Sequence, residues 1–176
     1  VCKERVLYDC SYHEVYDTSC DWYQSCLQET FQCPRSSYPL GYGLKYCNRF
    51  REALDMFPPM ARDWVLDTMV CLKSDLAAQT EGLGRSRESC HELTEIAFDT
   101  HPKCYVENGF CDLFTMQKFS DMVKTCKALV HVYEISDLLK VRSIQQIAET
   151  LRLCDLDFSV YAKLAVACGA MFFSHQ

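Results

Sequence analysis

The sequence has few of the features by which enzymes and nucleic-acid-binding proteins are usually recognised. Its five histidines are scattered, and none forms a pair at the helical spacing of a metal site. It lacks the serine between glycines that marks a lipase. With 24 acidic against 18 basic residues and a formal charge of -6, it carries no basic stripe. We therefore predict no metal, no cofactor, no catalytic residue and no nucleic-acid partner.

Long apolar runs are also missing. The longest apolar stretches are far shorter than a membrane span, which predicts no membrane insertion. The chain starts at Val1 without a positively charged leader and a following apolar run, which predicts a mature product whose signal peptide has been removed or replaced. No internal repeat, low-complexity tract or long linker divides the sequence. We therefore expect one domain over residues 1–176.

Cysteine, in contrast, is abundant. Thirteen cysteines are spread from Cys2 to Cys168 and do not cluster in pairs with two residues between them. This distribution favours disulfides in an oxidising compartment over zinc sites, and it predicts a secreted, extracellular protein. Because thirteen is odd, six internal bridges would leave one cysteine for an intermolecular bridge or as a free thiol.

Apolar residues recur at helical spacings, and no stretch alternates as a strand would. We predict an all-α, disulfide-rich bundle of about five to seven helices, with residues 1–40 as a cysteine-rich segment packed on it and short helices at 21–32. The residues predicted on the core sides of the longer helices are Cys47, Phe50, Leu54 and Phe57; Met60, Trp64, Thr68, Cys71, Leu72 and Leu76; Cys90, Leu93, Ala97 and His101; Phe119, Met122, Cys126, Leu129 or Val130, and Tyr133; Ile144, Ile147, Leu151 and Cys154; and Tyr161, Leu164, Cys168 and Phe172.

Local signals predict several helix ends. Pro59 suits the first turn of a helix, and Ser89 with Glu92 fits a capping box that opens the next one. Pro102 should end that helix. The aspartates of Asp155-Leu156-Asp157 are too close together for a calcium loop, so we expect one of them to cap the final helix.

Two places invite a functional interpretation. Trp22 and Tyr23 could form an exposed contact surface, although aromatics that pack a small disulfide-rich core are the favoured alternative. His101, near Asp99 and Cys104, could belong to a metal or acid-base cluster, but an oxidised cysteine cannot act as a thiolate ligand. A residue at a helix end is therefore the better interpretation of His101.

The spacing of the cysteines carries more information. The chain has a cysteine-rich opening, followed by the cysteine-containing segments YGLKYCNRF, MVCL, AFDTHPKCYVENGFCDL and LRLCDLDFSV. The separations are 24 residues from Cys47 to Cys71, 14 from Cys90 to Cys104 and 7 from Cys104 to Cys111. This pattern resembles the stanniocalcins, which are secreted helical hormones, over roughly residues 10–168. The two asparagines begin no glycosylation sequon, which departs from that family.

The resemblance implies a disulfide framework and a disulfide-linked homodimer formed through Cys168. A rival arrangement pairs Cys126 with Cys168 and leaves Cys2 unpaired, and the spacing does not choose between the two. The pairs that the resemblance implies are Cys10–Cys26, Cys20–Cys47, Cys33–Cys90, Cys71–Cys104 and Cys111–Cys154.

The leading functional hypothesis is a secreted, non-enzymatic signalling or regulatory protein that binds an extracellular protein or receptor. A structural or adhesive subunit of a larger extracellular assembly is the second hypothesis. The third is a small secreted hydrolase of the phospholipase type. Its nearest motif, Cys90-His91-Glu92, lacks the adjacent cysteine pair, the aspartate after the histidine and the glycine-rich calcium loop.

Overall fold

The computed structural model describes residues 15–116 and 118–172, with side chains up to residue 169. This part of the chain is helical and contains no strand, so the predicted all-α class is confirmed. Six of its α-helices have eight residues or more, within the predicted range. The α-helices are α1 (Glu29–Phe31), α2 (Lys45–Glu52), α3 (Pro59–Gln79), α4 (Arg87–Glu107), α5 (Asp112–Thr115), α6 (Phe119–Val132), α7 (Ile135–Leu138), α8 (Val141–Cys154) and α9 (Phe158–Phe172).

The chain forms two compact units. Unit 1 contains residues 1–48 and 69–100, and unit 2 contains residues 49–68 and 101–176, as far as these residues are described. The long helices α3 and α4 therefore each contribute residues to both units. The single domain with residues 1–40 packed on it stays a prediction.

Unit 1 is built around two short π-helices, Tyr23–Gln28 and Pro39–Leu44, which pack on each other. Their close approach depends on Gly43, because a Cβ at this position would lie 2.5 Å from the Tyr23 ring. The rings of Tyr38, Tyr42 and Phe98 pack together beside this contact, with centroids 4.8–5.9 Å apart. Aromatic packing of this kind supplies much of the apolar core of a small unit.

Unit 2 is held by α6, which packs along α9 and against α5. The indole of Trp64 lies at its aromatic centre and donates from Nε1 to the backbone oxygen of Tyr105 at 3.2 Å. The rings of Phe50 and Phe110 lie 6.5 and 5.4 Å from that of Trp64. Trp64 therefore combines apolar packing with a satisfied polar group, as a buried tryptophan requires.

The helix ends agree with the sequence at two positions and differ at two. The helix α3 begins at Pro59 as predicted, and Asp157 caps α9 by accepting a hydrogen bond from the Ser159 N–H at 3.0 Å. The Ser89 capping box is wrong, because Ser86 Oγ accepts from the Ser89 N–H at 2.9 Å and α4 starts three residues earlier than expected. The predicted stop at Pro102 is also wrong, since α4 continues to Glu107.

Burial explains why α4 passes through a proline. His101 and Cys104, on either side of Pro102, are both buried. Packing of this turn offsets the roughly 3 kcal/mol that an internal proline costs a helix.

Most of the predicted core residues are buried or half-buried, with a few exceptions. Met60, Phe119, Ile144 and Ile147 are exposed, and the Phe172 side chain lies outside the described part. The exceptions on α8 bear on function and are treated below.

Candidate interaction surfaces

Trp22 and Tyr23 do not form a contact surface. Both side chains are buried, and their rings meet edge to face at 5.3 Å. Burial raises the pKa of Tyr23 to about 12, although a hydrogen bond with Tyr38 lowers it in part. The prediction of an exposed aromatic surface is therefore wrong, and the alternative of a packed aromatic core holds. The short π-helix after Trp22 turns these side chains inward.

The histidines considered for chemistry lie in different surroundings. His101 is buried, with its ring edge to face against Tyr105 at 5.6 Å. His91 is exposed and lies 3.6 Å from the carboxylate of Glu95, one helical turn away. Among the described residues, no group of three or more His, Cys, Asp or Glu side chains is placed to hold a metal ion.

The disulfides include three of the pairs that the resemblance implies. These are Cys20–Cys47 and Cys33–Cys90 in unit 1 and Cys111–Cys154 in unit 2. Cys26, Cys71 and Cys104 are also oxidised. Cys10, the expected partner of Cys26, lies outside the described residues.

The fourth observed pair joins Cys126 of α6 to Cys168 of α9. Neither is therefore an unpaired or intermolecular cysteine, and the disulfide-linked dimer through Cys168 is wrong. The physical reason is the side-by-side packing of α6 and α9, which brings the two sulfurs together. Cys2, the remaining candidate for an unpaired thiol, lies outside the described part.

The outward face of α9 is apolar. Phe158, Ala162, Ala165 and Val166 are exposed and fall within an arc of about 100° when the helix is viewed along its axis. The Phe158 side chain is 86% exposed and that of Val166 is 65% exposed. Lys163, the only charged residue of the helix, is exposed beside this face and not within it. A surface helix normally turns its charged residues outward, so this face is unusual for a helix in contact with water alone.

Buried side chains and a disulfide hold α9 in this orientation, and a local cap stabilises its first turn. Val160 and Ala167 are buried on the opposite side, and Cys168 is bonded to α6. At the first turn, hydrogen bonds from the Ser159 side chain and N–H lower the pKa of Asp157 and keep the cap ionised. The apolar face therefore stays outward in the folded protein.

The helix α8 also departs from the usual arrangement, in which the apolar side of a helix is buried and the polar side is exposed. Its buried side is polar and consists of Ser143, Gln146 and Thr150. Ile144 and Ile147, predicted to lie in the core, are exposed instead. The sequence missed this surface because an amphipathic helix has the same periodicity whichever face is buried.

The described helices include none that is both long and apolar enough to cross a membrane. The chain matches no family model, no curated protein and no solved structure. Function must therefore be argued from the residues of this chain, and the two outward apolar faces are the features that call for a partner.

Proposed function

We propose that the chain is a secreted, non-enzymatic signalling or regulatory protein that acts by binding an extracellular protein or receptor. The observation that carries the proposal is the outward apolar face of α9. Phe158, at the start of α9, is a large aromatic side chain that is almost fully exposed. Side chains of this kind are typical anchors of protein interfaces. Binding would remove this face from water.

The disulfides support the extracellular part of the proposal. The four pairs and the three further oxidised cysteines among the described residues are typical of proteins from oxidising compartments. Membership of a stanniocalcin-like family is likewise a proposal, supported by three pairs that agree with the connectivity that the resemblance implies. Fold analogy alone is a weak argument for function, so the α9 face carries more weight than the resemblance.

The test is saturable binding of fluorescently labelled, oxidised protein to intact cells of the organism that encodes the chain. We expect Phe158→Gln and Val166→Gln to weaken binding at least tenfold, because each removes apolar contact area from the surface. Met116→Gln is the matched control, since Met116 is 70% exposed and lies outside α9. Binding that is equally weak in all three variants, or unchanged in all three, contradicts the proposal.

Two further results would decide against this function. Saturable turnover of a substrate that disappears in His91→Ala or His101→Ala would show an enzyme. A large ordered assembly in size-exclusion chromatography with light scattering would favour a structural or adhesive subunit.

A further inference from the structure

The helix α8 has three distinct sides. Its buried polar side is described above, and its charged side includes Glu149 and Arg152, which form a two-point ion pair at 2.6 and 2.7 Å. The third side is an outward apolar arc of about 120°. Its members are Val141, Ile144, Ile147 and Ala148, which are exposed, and Leu151, which is half-buried.

The α8 arc cannot turn inward without breaking contacts. At the end of the helix, Cys154 is bonded to Cys111. In the middle, Gln146 Nε2 donates to the Tyr105 hydroxyl at 3.1 Å. In the last turns, the backbone oxygen of Leu151 accepts from the Tyr161 hydroxyl at 3.1 Å. These contacts fix the rotation of α8 about its axis, so the arc must be covered from outside or remain in water.

We infer that the α8 arc is the contact surface of a non-covalent homodimer in which the α8 helices of two copies pack antiparallel. A two-fold contact uses the same patch on both copies, so one self-complementary face is sufficient. This inference uses α8 and not α9, and it stands independently of the proposed function. It also needs no intermolecular disulfide.

The charges at the two ends of α8 favour the antiparallel direction. A pairing centred between Ile147 and Ala148 places Ile144 opposite Leu151 of the second copy. The same pairing places Lys140, just before the helix, opposite Asp155, just after it. Asp155 is exposed, and the Lys140 side chain is 64% exposed while it pairs with Asp137 on its own chain. A parallel pairing would instead bring like charges together, and antiparallel helix dipoles add to the preference.

The apolar area of the α8 arc fits a weak dimer. Val141, Ile144 and Ile147 are its exposed large side chains. At roughly 100 Å² of apolar surface each, they offer about 300 Å² per copy, about half of the roughly 600 Å² per partner of the smaller specific interfaces. We therefore expect a weak dimer that dissociates on dilution.

Sedimentation equilibrium over a concentration range from about 1 to 500 µM tests the inference. The wild-type chain should pass reversibly from the mass of one chain to that of two, while a non-reducing gel shows single chains. Ile147→Gln should weaken association at least tenfold. Leu153→Gln is the matched control on the same helix, because Leu153 is similarly exposed (41% against 45%) but lies outside the α8 arc. It should associate like the wild type.

Charge reversal tests the antiparallel direction. Lys140→Asp alone should weaken association about three- to tenfold, and Lys140→Asp with Asp155→Lys in the same chain should restore it. Circular dichroism of each monomer separates a folding defect from a loss of contact.

A wild-type chain that keeps the single-chain mass at the highest concentration overturns the inference. It is also overturned if Ile147→Gln associates as the wild type does. Should the wild type stay monomeric while Ile147→Gln loses cell binding, the α8 arc belongs to a different protein partner. In that case the α9 proposal is judged by its own variants.

Discussion

Lys73→Met is the most informative perturbation of unit 1. The ammonium of Lys73, on α3, is fully buried. It donates to the backbone oxygens of Asp17 at 2.6 Å and Ser19 at 2.9 Å, and to the Asp17 carboxylate at 3.1 Å. These bonds tie residues 17–19, next to the Cys20–Cys47 disulfide, to the long helix. Methionine keeps the apolar stem and removes the donor.

The expected cost follows from the two carbonyls. Both carbonyls are part-buried, and each that loses its donor costs at most about 1–3 kcal/mol. Methionine avoids the desolvation of a buried ammonium, which offsets part of that loss. The Asp17 carboxylate is 51% exposed, so its ion pair adds less than about 1 kcal/mol. We expect Lys73→Met to lower the free energy of unfolding by about 2–4 kcal/mol.

The assay is guanidinium unfolding of the oxidised protein, with amide exchange of residues 15–20 as a local probe. Asp17→Asn is the control and should cost less than Lys73→Met, because both backbone oxygens keep their donor. A loss below about 1 kcal/mol for Lys73→Met would refute the reasoning. So would a larger loss for Asp17→Asn than for Lys73→Met.

Three further predictions concern single positions. Gly43→Ala should destabilise by about 1–3 kcal/mol through a clash with the Tyr23 ring, whereas Gly84→Ala, whose Cβ would meet no described atom within 4 Å, should be nearly neutral in thermal unfolding. The pKa of the buried Tyr23 is raised to about 12, so its neutral hydroxyl contributes to the stability of the fold below pH 10. This contribution is lost as the pH rises through 12 and the hydroxyl ionises. Tyr23→Phe should remove the latest step of an alkaline absorbance titration. The pKa of Asp157 is lowered, so its ionised carboxylate stabilises α9 above the ordinary titration range of aspartate. This stabilisation is lost as the pH falls through the folded-state pKa of Asp157. Asp157→Ser should abolish this acid dependence in the amide exchange of α9, and its persistence would contradict the assigned cap.

The sequence predicted the helical class and several helix boundaries because these depend on local chemistry. Pro59 starts α3 and Asp157 caps α9 through bonds within a few residues of the chain. The helix end predicted at Pro102 was wrong because the burial of His101 and Cys104 outweighs the local cost of a proline in a helix. That burial depends on the tertiary fold. Local signals are therefore reliable where no tertiary contact competes with them.

The candidate surfaces were harder to predict. The spacing of Ile144 and Ile147 correctly indicates a helix, but it does not say which face the rest of the protein covers. Burial of Gln146 beside the Tyr105 hydroxyl decides that question, and this contact spans 41 residues. Likewise, the cysteine spacing did not decide whether Cys126 pairs with Cys168. The packing of α6 on α9 brings the two sulfurs together and decides it.

Site-specific photo-cross-linking tests the central claim most directly. A photoreactive phenylalanine analogue would replace Phe158 in one sample and Met116 in the other, since both side chains are largely exposed. After illumination of protein bound to intact cells, we predict one extracellular protein attached at position 158 and absent at position 116. Cross-linking that is equal at the two positions, or absent at 158 while binding is saturable, would contradict the account.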